Sequence, residues 1–305
     1  MTTPPLGLQR SDLSALCRSA AEVSAAGQRR MKLLVRCELL TLIGAGAAGV
    51  QGLRLGPSDL DVLAAVAGVL FLISLSCLTY RSITKPENSW YGGRAGAESV
   101  RTLAWRFAVG GDPFPTDLLE RDVADRYLDR LDQVLDQLRD FDLAATRPDE
   151  RELTAAMKRV RAAPFEIRRT VYQRDRIENQ IRWYASTAAR HEKRAKVWLR
   201  ASALASLLGV VAAGLRLFGV LDLDLLGVAA SCASAAVAWN QLNQNRTLAV
   251  AYRVTGQELA IIRDRAEQVI EQQWATFVSD AEDAISREHT LWLARHGHPG
   301  LRRPE

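Results

Sequence analysis

The sequence predicts an all-α membrane protein with two transmembrane helical hairpins, which make four spans, and long cytoplasmic helices that form a bundle. Two observations support this fold class. Long uncharged runs occur in two pairs, and the charged stretches between and after them carry helical stripes of apolar residues. No stretch alternates apolar and polar residues over a length that favours a sheet. At 305 residues the chain is long enough for one or two domains.

The paired runs have lengths close to those of membrane spans. Residues 62–80 form an uncharged run of 19 residues, and at about 1.5 Å per residue such a helix is about 28 Å long, near the hydrocarbon thickness of a bilayer. The runs 39–53, 201–215 and 225–239 complete the two pairs. Alone, a short run also fits the core of a soluble bundle, which is the alternative. The recurrence in pairs favours four spans, at about 37–55, 61–80, 199–218 and 223–241.

The links within the two pairs resemble each other. They read GLRLGPSDLD at 52–61 and GLRLFGVLDLD at 214–224, each with Gly-Leu-Arg-Leu, a turn and then Leu-Asp. This similarity indicates that one helical hairpin was duplicated. Arg54 and Arg216 are expected to extend along the helix ends with their charges among the lipid headgroups, which makes them pore-mouth candidates.

Basic residues flank the hairpins, whereas each link carries one arginine and at least two aspartates. By the positive-inside rule, both termini and the middle region are expected in the cytoplasm. The flanking cations are Arg29, Arg30, Lys32, Arg36, Arg81, Lys85, Arg94, Lys193, Arg194, Lys196 and Arg200.

Small residues recur four positions apart in the apolar runs, and this spacing lets membrane helices approach closely. Packing within a hairpin is one interpretation and packing between chains is the other. Ionisable groups are almost absent from the spans, which argues against a proton pump or an ion-coupled transporter. Serines in the spans either line a pore or bond to their own helix. The small residues are Gly44 with Ala48, Ala45 with Gly49, and Gly227 with Ser231 and Ala235.

The charged stretches carry amphipathic helical patterns. Residues 117–141 form one such helix after the loop VGGDPFPTD. Pro164 is expected to break the next helix, and a helix at about 166–197 is expected to run into the third span. Residues 240–295 carry a further helical pattern. The apolar side at 117–141 comprises Leu118, Val123 or Arg126, Tyr127, Leu131, Val134 or Leu135, and Leu138; that at 240–295 comprises Leu248, Tyr252, Leu259, Ile262, Ala266, Val269 and Ile270.

The sequence carries no phosphate-binding loop, nucleophile elbow or paired Cys/His ligand set. GGRAG at 92–96 lacks the preceding strand that a phosphate site needs. We therefore predict no catalytic, cofactor-binding or metal-binding residues. His296 and His298 flank a glycine and either bind a metal or belong to an unstructured tail. The four cysteines, Cys17, Cys37, Cys77 and Cys232, are expected to be free thiols, with palmitoylation of Cys37 or Cys77 as the alternative.

The net charge of +5 arises from 40 Lys and Arg against 35 Asp and Glu that are interspersed along the chain. This charge permits contact with anionic lipid, and we predict no nucleic-acid partner. The stretch ENSWYGGRAGAESVRTLAWRF at 87–107 reads as a helix on which Tyr91, Arg94 and Glu98 share a face, where an Arg94–Glu98 pair is expected. Trp90 and Tyr91 follow the second span closely enough to lie near the headgroups.

Several motifs, taken in order, resemble the SLATT proteins, the SMODS and SLOG-associating two-transmembrane-helix effector domains. AAGQRRMKLLVRCELL, WYGGRAGAESVRTLAWRF and GGDPF carry the resemblance in the first half, and QIRWYASTAARHEKRAKVWLRAS, WNQLNQNRTLAVAYRVTGQELAIIRDR and FVSDAEDAISREHTLWLARHG carry it in the second. The predicted domains are a tail at 1–10, SLATT-like units at 11–148 and 149–298, and a tail at 299–305. The signature and interface positions are Trp90, Tyr91, Arg94, Glu98, Trp105, Arg106, Trp183, Tyr184, Tyr252, Glu258, Glu288, His289 and Trp292.

The resemblance implies a non-enzymatic effector of a bacterial nucleotide-signalling system for anti-phage defence or conflict. Such a protein is expected in the inner membrane, where it oligomerises and forms a pore or perturbs the bilayer when a separate protein makes or senses a nucleotide. No cofactor is expected. The alternative is a non-conducting scaffold or sensor that recruits a soluble partner through its cytoplasmic bundle. An enzyme that acts on a nucleotide or lipid is a third hypothesis, but the sequence assembles no convergent polar site for it.

Overall fold

The structure is a computed structural model that describes residues 6–9, 12–50, 54–55, 60–145, 149–220, 223 and 225–295, without the side chains of 54, 55, 60 and 287–295. This part of the chain is all-α apart from strands β1 (Arg54–Leu55) and β2 (Leu60–Asp61), which pair antiparallel. A π-helical segment, Tyr172–Glu178, joins α6 to α7. The helices are α1 (Ala15–Ala48), α2 (Val62–Thr84), α3 (Pro86–Val109), α4 (Glu120–Gln137), α5 (Ala155–Arg161), α6 (Phe165–Val171), α7 (Asn179–Leu217), α8 (Leu226–Leu242), α9 (Asn245–Ala266) and α10 (Glu271–Arg295).

The chain divides into two compact units. The helical bundle comprises Met1–Gln28, Glu87–Ser186 and Tyr252–Glu305, and the hairpin unit comprises Arg29–Pro86 and Thr187–Ala251. Each unit draws residues from both halves of the chain, and α1, α7 and α9 contribute residues to both. Compactness and sequence duplication therefore divide the chain differently, and the boundaries predicted at 11–148 and 149–298 stay a prediction.

Helix α3 supplies the centre of the helical bundle. Val100, Ala104 and Ala108 are 0% exposed and Phe107 is 1% exposed. Their spacing of three and four residues places them along one side of the helix. Apolar residues at this spacing stabilise a helix mainly by burying one face against its neighbours. The bundle core is accordingly built around this face of α3.

Helix α4 covers this core with the apolar stripe that the sequence predicts. The ring of Tyr127 lies 5.1 Å from that of Phe107, between ring centroids. The sequence leaves open whether Val123 or Arg126, and whether Val134 or Leu135, belongs to the stripe. Val123 and Val134 are buried, whereas Arg126 and Leu135 are exposed. The predicted stripe is confirmed, and its fully buried members are Val123, Tyr127, Leu131, Val134 and Leu138.

The ends of α2 follow from local chemistry. Asp61 caps its N-terminus, because the carboxylate accepts hydrogen bonds of 3.1 Å from the backbone N–H groups of Leu63 and Ala64. Lys85 ends the helix in the left-handed region at φ 40°. Pro86 then opens α3 at the first helical position, where its missing N–H costs nothing. Helix α2, which contains the second predicted span, is therefore separated from α3 at residues 85 and 86.

Pro164 separates two helices as predicted, with α5 ending at Arg161 and α6 beginning at Phe165. From Phe165 the chain stays helical to Leu217, which confirms that this helix runs into the third predicted span. The expected end of the first span is wrong. The first span is predicted to reach residue 55, but α1 ends at Ala48, next to the glycines of GVQGL.

The helical pattern predicted at 240–295 is also interrupted. Helix α9 ends at Ala266 and α10 begins at Glu271. Ala266 is buried as predicted, but Ile270 is 55% exposed because it lies in the connection between the two helices. The next turn buries Trp274 instead, which is 1% exposed. The apolar stripe is therefore not continuous from α9 to α10, and the buried side chain at the start of α10 is Trp274.

The GGDPF loop after α3 is held by side chains from distant parts of the chain. Arg161 donates to the carbonyls of Phe107, Phe114 and Pro115 at 3.0, 2.7 and 2.7 Å. Arg168 and the indole N–H of Trp274 both donate to the Val109 carbonyl, at 2.9 and 2.8 Å. The carbonyls of Phe107 and Val109 lie in the last turn of α3, where no helical N–H follows to bond them, and those of Phe114 and Pro115 lie in the loop. Side-chain donors therefore satisfy all four.

All four cysteines are free thiols, as the sequence predicts. Cys17 is 4% exposed in the helical bundle, and its thiol donates to the Ala97 carbonyl at 3.4 Å. Cys37, Cys77 and Cys232 are half-buried and belong to the hairpin unit. The thiols therefore differ in exposure between the two units.

Candidate membrane surface and buried charge cluster

The hairpin unit exposes an extensive apolar surface. Among the described residues, two helices are long and apolar enough to cross a membrane: Val62–Thr84, with mean hydropathy 2.5, and the continuous helix Phe165–Leu217, with 1.6 in its most apolar window. Only 6% of each apolar window is buried. A core helix of a soluble protein buries most of its apolar side chains, whereas these helices do not.

Large side chains form this surface. Leu72 is 63% exposed on α2, and Val210 is 69% exposed on α7. Exposed apolar area of this extent is unfavourable in water at about 25 cal/mol per Å2. A lipid bilayer or a partner helix removes that cost. Further members of the surface are Val66, Val69, Phe71, Leu75, Leu204, Leu207 and Leu208.

Small residues mark the close helix contacts within the hairpin unit. A Cβ atom at Gly44 would lie 3.1 Å from Leu70 of α2, within the first hairpin. A Cβ at Gly46 would lie 2.9 Å from the hydroxyl oxygen of Ser231 in α8, and 3.7 Å from the Gly227 carbonyl. The contact at Gly46 therefore joins the two hairpins. Sequence analysis missed Gly46, because it is outside the pairs spaced by four.

The other predicted packing residues differ in burial. Ala45 is 4% exposed, and Ala48 and Ala235 are half-buried. Gly49 is exposed, and a Cβ there would meet only carbonyls of its own helix, 3.6 Å away. Ser231 donates its hydroxyl to the Gly227 carbonyl at 2.8 Å. Four of the seven predicted small residues, Gly44, Ala45, Gly227 and Ser231, thus lie at buried positions or in contacts between helices.

The pore-mouth candidates lie at the two links. Arg216 is exposed near the end of α7. Arg54 pairs with Asp61 in the register of β1 and β2, and its side chain lies outside the described residues. Leu217 and Phe218, which follow Arg216, are 82% and 81% exposed. A charged group next to exposed apolar side chains suits the interface between headgroups and acyl chains.

The helical bundle contains a buried charge cluster. Arg176, in the π-helical segment, donates two hydrogen bonds of 2.9 and 2.6 Å to Glu282 of α10 and one of 2.9 Å to Glu98 of α3. The side chains are 3%, 0% and 6% exposed, respectively. One guanidinium thus connects three elements of the bundle.

Further donors complete the cluster. Thr102 and Tyr172 each donate a hydroxyl to Glu282 at 3.0 Å, and Arg101 donates to Glu98 at 2.6 Å. Two guanidinium groups therefore face two carboxylates. Buried charges are tolerated when they are paired and their remaining hydrogen bonds are made. The charges of the cluster are paired, and Nε of Arg101 is the one buried nitrogen of the two guanidinium groups that has no hydrogen-bond partner among the described residues.

The electrostatics of the cluster follow from burial and from the two acids. Burial alone would lower the pKa of Arg176, but the carboxylates of Glu282 and Glu98 raise it well above its ordinary value. Burial and Glu282 also raise the pKa of Tyr172. Its hydroxyl therefore keeps its proton and donates to Glu282. π-Helical segments are uncommon and frequently occur at functional sites.

A cavity of about 150 Å3 lies beside Glu98 and Arg101. Small-molecule sites commonly have about 300–1,000 Å3, so this cavity suits a few water molecules rather than a nucleotide. Among the described residues, no group of His, Cys, Asp and Glu side chains forms a metal site. The side chains that line the cavity are Ala21, Ser24, Arg94, Ala97, Glu98, Arg101, Gln180 and Trp183.

Two family models match the chain in succession. Residues 15–169 match the SMODS and SLOG-associating 2TM effector domain 3, and residues 172–292 match the SMODS and SLOG-associating 2TM effector domain 1. The chain belongs to the SLATT family. Its two SLATT segments lie in tandem, as the resemblance implies. No curated protein and no solved structure matches the chain.

The SLATT signature WYGGRAG lies in α3, where its glycines allow close helix packing. A Cβ at Gly93 would lie 2.7 Å from the backbone nitrogen of Ser24 and 2.8 Å from the carbonyl oxygen of Ala20, both in α1. A Cβ at Gly92 would overlap the ring of Phe141, and one at Gly96 would lie 2.6 Å from Leu138. The motif is therefore a contact surface of the bundle.

The aromatic SLATT signature residues form two groups in the bundle. Trp90 and Tyr91 stack with ring centroids 4.7 Å apart. Trp183 and Tyr184 lie 5.4 and 5.5 Å from Tyr252, which is 3% exposed. Aromatic pairs at these distances stabilise a packed interface beyond their buried area.

The charged SLATT signature residues connect helices. Arg94 reaches the hydroxyl of Tyr252 at 3.5 Å, and Arg106 binds Asp283 at 2.9 Å. Glu98 belongs to the charge cluster, where it binds Arg101 and Arg176. The sequence predicts Arg94 as the partner of Glu98 and does not predict these two contacts. 

The remaining SLATT signature positions differ in what surrounds them. Trp105 is 3% exposed and its ring lies 5.9 Å from that of Tyr172. Glu258 is exposed. Glu288, His289 and Trp292 belong to α10, but their side chains lie outside the described residues, as do His296 and His298 entirely.

Sequence analysis missed Arg176 and Glu282, which complete the charge cluster. They are 106 residues apart, in stretches where ionised residues are frequent. A charged residue on an amphipathic helix usually faces water, so neither position differs from its neighbours in the sequence. One feature of the sequence could have indicated a buried polar site: Tyr172, four residues before Arg176, is an aromatic residue whose hydroxyl needs a hydrogen-bond partner when it is buried.

Proposed function

We propose that this SLATT protein is the membrane effector of a bacterial nucleotide-signalling system for anti-phage defence or conflict. It oligomerises in the inner membrane and, on activation, forms a pore or perturbs the bilayer. A separate protein that makes or senses a nucleotide supplies the signal. The SMODS and SLOG association in the family description supports such a partner.

The exposed apolar surface of the hairpin unit carries this proposal. Two helices that contribute to this surface have the length and the apolar composition of a membrane span, and only 6% of the most apolar window of each is buried. We propose four spans, of which the first ends near residue 48, where α1 ends, and the others lie at about 61–80, 199–218 and 223–241, with both termini in the cytoplasm. The family description, with two transmembrane helices per domain and two domains in tandem, supports this number.

The helical bundle is proposed to receive the activating signal without catalysing a reaction. Its polar centre is a paired charge cluster, in which the acids and the guanidinium groups bind one another. A catalytic acid or base needs access to a substrate. The cluster instead suits a structural role that an activating partner could alter.

The proposal is tested by expressing the chain with its activating partner in bacteria and measuring membrane potential and dye entry. Leu208→Arg places a charge near the centre of the third proposed span, which is expected to cost about 2.5–3.5 kcal/mol of insertion free energy and to abolish depolarisation. Leu128→Arg is the matched control, because Leu128 is 46% exposed on α4 of the bundle.

We expect depolarisation from the wild type and from Leu128→Arg at equal expression. Intact membrane potential in activated wild-type cells would contradict membrane perturbation. A Leu208→Arg protein that stays in the membrane and depolarises cells would contradict the proposed third span.

A non-conducting scaffold is the second candidate, and the hydroxyl groups of the spans favour it. Ser76 donates to the Leu72 carbonyl and Ser231 to the Gly227 carbonyl, each at 2.8 Å in its own helix. These two hydroxyl groups are engaged by the backbone of their own helices, which reduces the polarity that they could offer to a water-filled lumen. Oligomers too small to enclose a lumen, measured by mass photometry of the activated protein in lipid nanodiscs, would favour the scaffold.

A further inference from the structure

Two contacts define how α1 and α2 lie against each other in the hairpin unit. A Cβ atom at Gly44 would lie 3.1 Å from the side chain of Leu70, and Arg81 binds Glu38 at 3.4 Å. As the residue number falls from 44 to 38 along α1, it rises from 70 to 81 along α2. The two helices are therefore antiparallel and in contact over about two turns of α1.

A cysteine on each helix lies farther along the same contact. Cys37 is seven residues before Gly44 on α1, and Cys77 is seven residues after Leu70 on α2. Seven residues make about two helical turns, so each cysteine lies on the same face of its helix as the contact residue. In an antiparallel pair of helices, equal steps in opposite directions bring two residues opposite each other. The contact between Gly44 and Leu70 therefore places Cys37 opposite Cys77.

The two thiols are in contact, as this register requires. The side chains of Cys37 and Cys77 share a hydrogen bond, and both residues are half-buried. Glu38 is the next residue of α1, and Arg81 lies one turn after Cys77 on α2. The Glu38–Arg81 ion pair therefore holds the helices together beside the thiols, at the end of the hairpin away from its link.

Cys232, the third thiol of the hairpin unit, lies at another level of α1. Its neighbour Ser231 has its hydroxyl oxygen 2.9 Å from the position of a Cβ atom at Gly46. Trp239 instead packs against the turn of α1 that contains Cys37, and it is seven residues, or about 10.5 Å, from Cys232 along α8. A disulfide needs Cα atoms within about 7 Å of each other. Cys232 therefore serves as a control thiol from the same unit.

We propose that Cys37 and Cys77 form a reversible disulfide bond, which joins α1 to α2, when the protein meets hydrogen peroxide. One cysteine, as its thiolate, attacks the peroxide, which yields a sulfenic acid and hydroxide. The thiol of the other cysteine then attacks this sulfur, so that the S–S bond forms and water leaves. In sum, two thiols give two electrons and two protons to one peroxide molecule, which becomes two water molecules.

The bond changes how the two helices of the first hairpin are held. Without it, α1 and α2 are joined at this end by noncovalent contacts such as the Glu38–Arg81 ion pair. In a reducing compartment the thiols persist, so the bond forms on exposure to the oxidant. Attack of a reducing thiol on the bond restores both cysteines. The site goes beyond the proposed function, because its chemistry requires only the contact between the two thiols and not a pore.

Oxidation of the purified full-length protein tests this proposal. The wild type in neutral detergent is treated with hydrogen peroxide, its remaining thiols are blocked with N-ethylmaleimide, and peptide mapping by mass spectrometry identifies the linked cysteines. We expect one pair of peptides joined through Cys37 and Cys77, which dithiothreitol separates. The melting temperature of the oxidised protein is expected to rise by about 5 °C, because the cross-link constrains the unfolded chain.

Two variants, each with two cysteines left, give a matched comparison. Cys17→Ser/Cys232→Ser keeps the proposed pair, whereas Cys17→Ser/Cys77→Ser keeps Cys37 with Cys232. The first variant is expected to form at least about tenfold more disulfide within the chain than the second, since groups held in contact react as if they were highly concentrated. A polyethylene glycol maleimide, which shifts the protein on a gel for every free thiol, measures the yield.

The outcomes that overturn the proposal are distinct. They are the absence of the Cys37–Cys77 peptide pair, an equal disulfide yield in the two variants, and a bond that forms only between chains. Oxidation of either cysteine to a sulfinic acid without a bond also overturns it. A bond that leaves the melting temperature unchanged contradicts the cross-linking of α1 to α2. Peptide mapping uses the wild type, so a variant that fails to fold does not prevent the test.

Discussion

Arg176 binds Glu282 through two hydrogen bonds, of 2.9 and 2.6 Å, although the two residues are 106 positions apart. Their side chains are 3% and 0% exposed. Removing one partner of such a pair leaves the other charged group buried without compensation. The pair therefore makes the stability of the bundle dependent on contact between the π-helical segment and α10.

Arg176→Met is expected to destabilise the bundle by about 3–5 kcal/mol, because Glu282 and Glu98 then lose their shared guanidinium. Thermal unfolding of the purified protein, followed by near-UV circular dichroism, measures the loss. Arg263→Gln is the control: Arg263 binds only its neighbour Asp264 among the ion pairs of the described residues, so little change is expected. An unaltered melting temperature in Arg176→Met would contradict the structural role of the pair.

Gly93→Ala is expected to lower the free energy of unfolding of the bundle by about 1–3 kcal/mol, because the new Cβ would lie 2.7 Å from the backbone nitrogen of Ser24. A backbone atom cannot move aside as a flexible side chain does. Gly256→Ala is the matched control in α9, where the nearest atom is Tyr184 Cβ at 3.7 Å. The control should be neutral or stabilising by up to about 1 kcal/mol, because alanine favours helix. Equal melting temperatures for the two variants would rule out the close contact.

Gly46→Leu is expected to reduce activated dye entry about tenfold or more, because it forces α1 away from Ser231 of α8. Gly68→Leu is the control, since no atom lies within 4 Å of a Cβ at that position. Dye uptake is compared at matched membrane levels of the two proteins. If Gly46→Leu kept full activity, the contact between the hairpins would have no part in membrane perturbation.

His191 is expected to make the stability of the hairpin unit fall as the pH falls below about 6.5. Burial lowers the pKa of His191 in the folded protein; the hydrogen bond to Asn245 opposes this, and Arg194, Lys32 and Arg190 add to it. Between the folded and unfolded pKa values the unfolded chain binds more protons, so stability rises with pH.

Melting temperatures at pH 5 to 8 measure this dependence. His191→Gln removes the titratable imidazole and keeps a hydrogen-bonding side chain beside Asn245. The part of the slope of melting temperature against pH that is lost in His191→Gln is due to His191, because the other histidines are unchanged. A slope unchanged by the substitution would show that other groups titrate in this range.

The sequence predicts elements whose pattern is local. The stripe of Val123, Tyr127 and Leu131 on α4 follows from a helical period in one short segment, and the break at Pro164 follows from one residue. The apolar helix α2 and the apolar end of α7 likewise follow from uninterrupted apolar runs. Such signals do not depend on which segments later pack together.

The contacts between distant segments were not predictable in this way. GGRAG reads as a weak phosphate-loop candidate, yet Gly93 meets the backbone of α1 and Gly96 meets Leu138. Arg176 and Glu282 resemble surface charges until folding brings them together. Burial of a charged residue depends on a partner from another helix, and nothing in the local sequence identifies that partner.

The buried thiol of Cys17 gives the protein a built-in reporter of bundle opening. Cys17 is 4% exposed in the bundle, whereas the other three cysteines belong to the hairpin unit. In a chain with serine at 37, 77 and 232, a maleimide would react with Cys17 only while the surrounding helices are apart. The rate of that reaction, with and without the proposed activating partner, would show whether activation separates these helices in living cells.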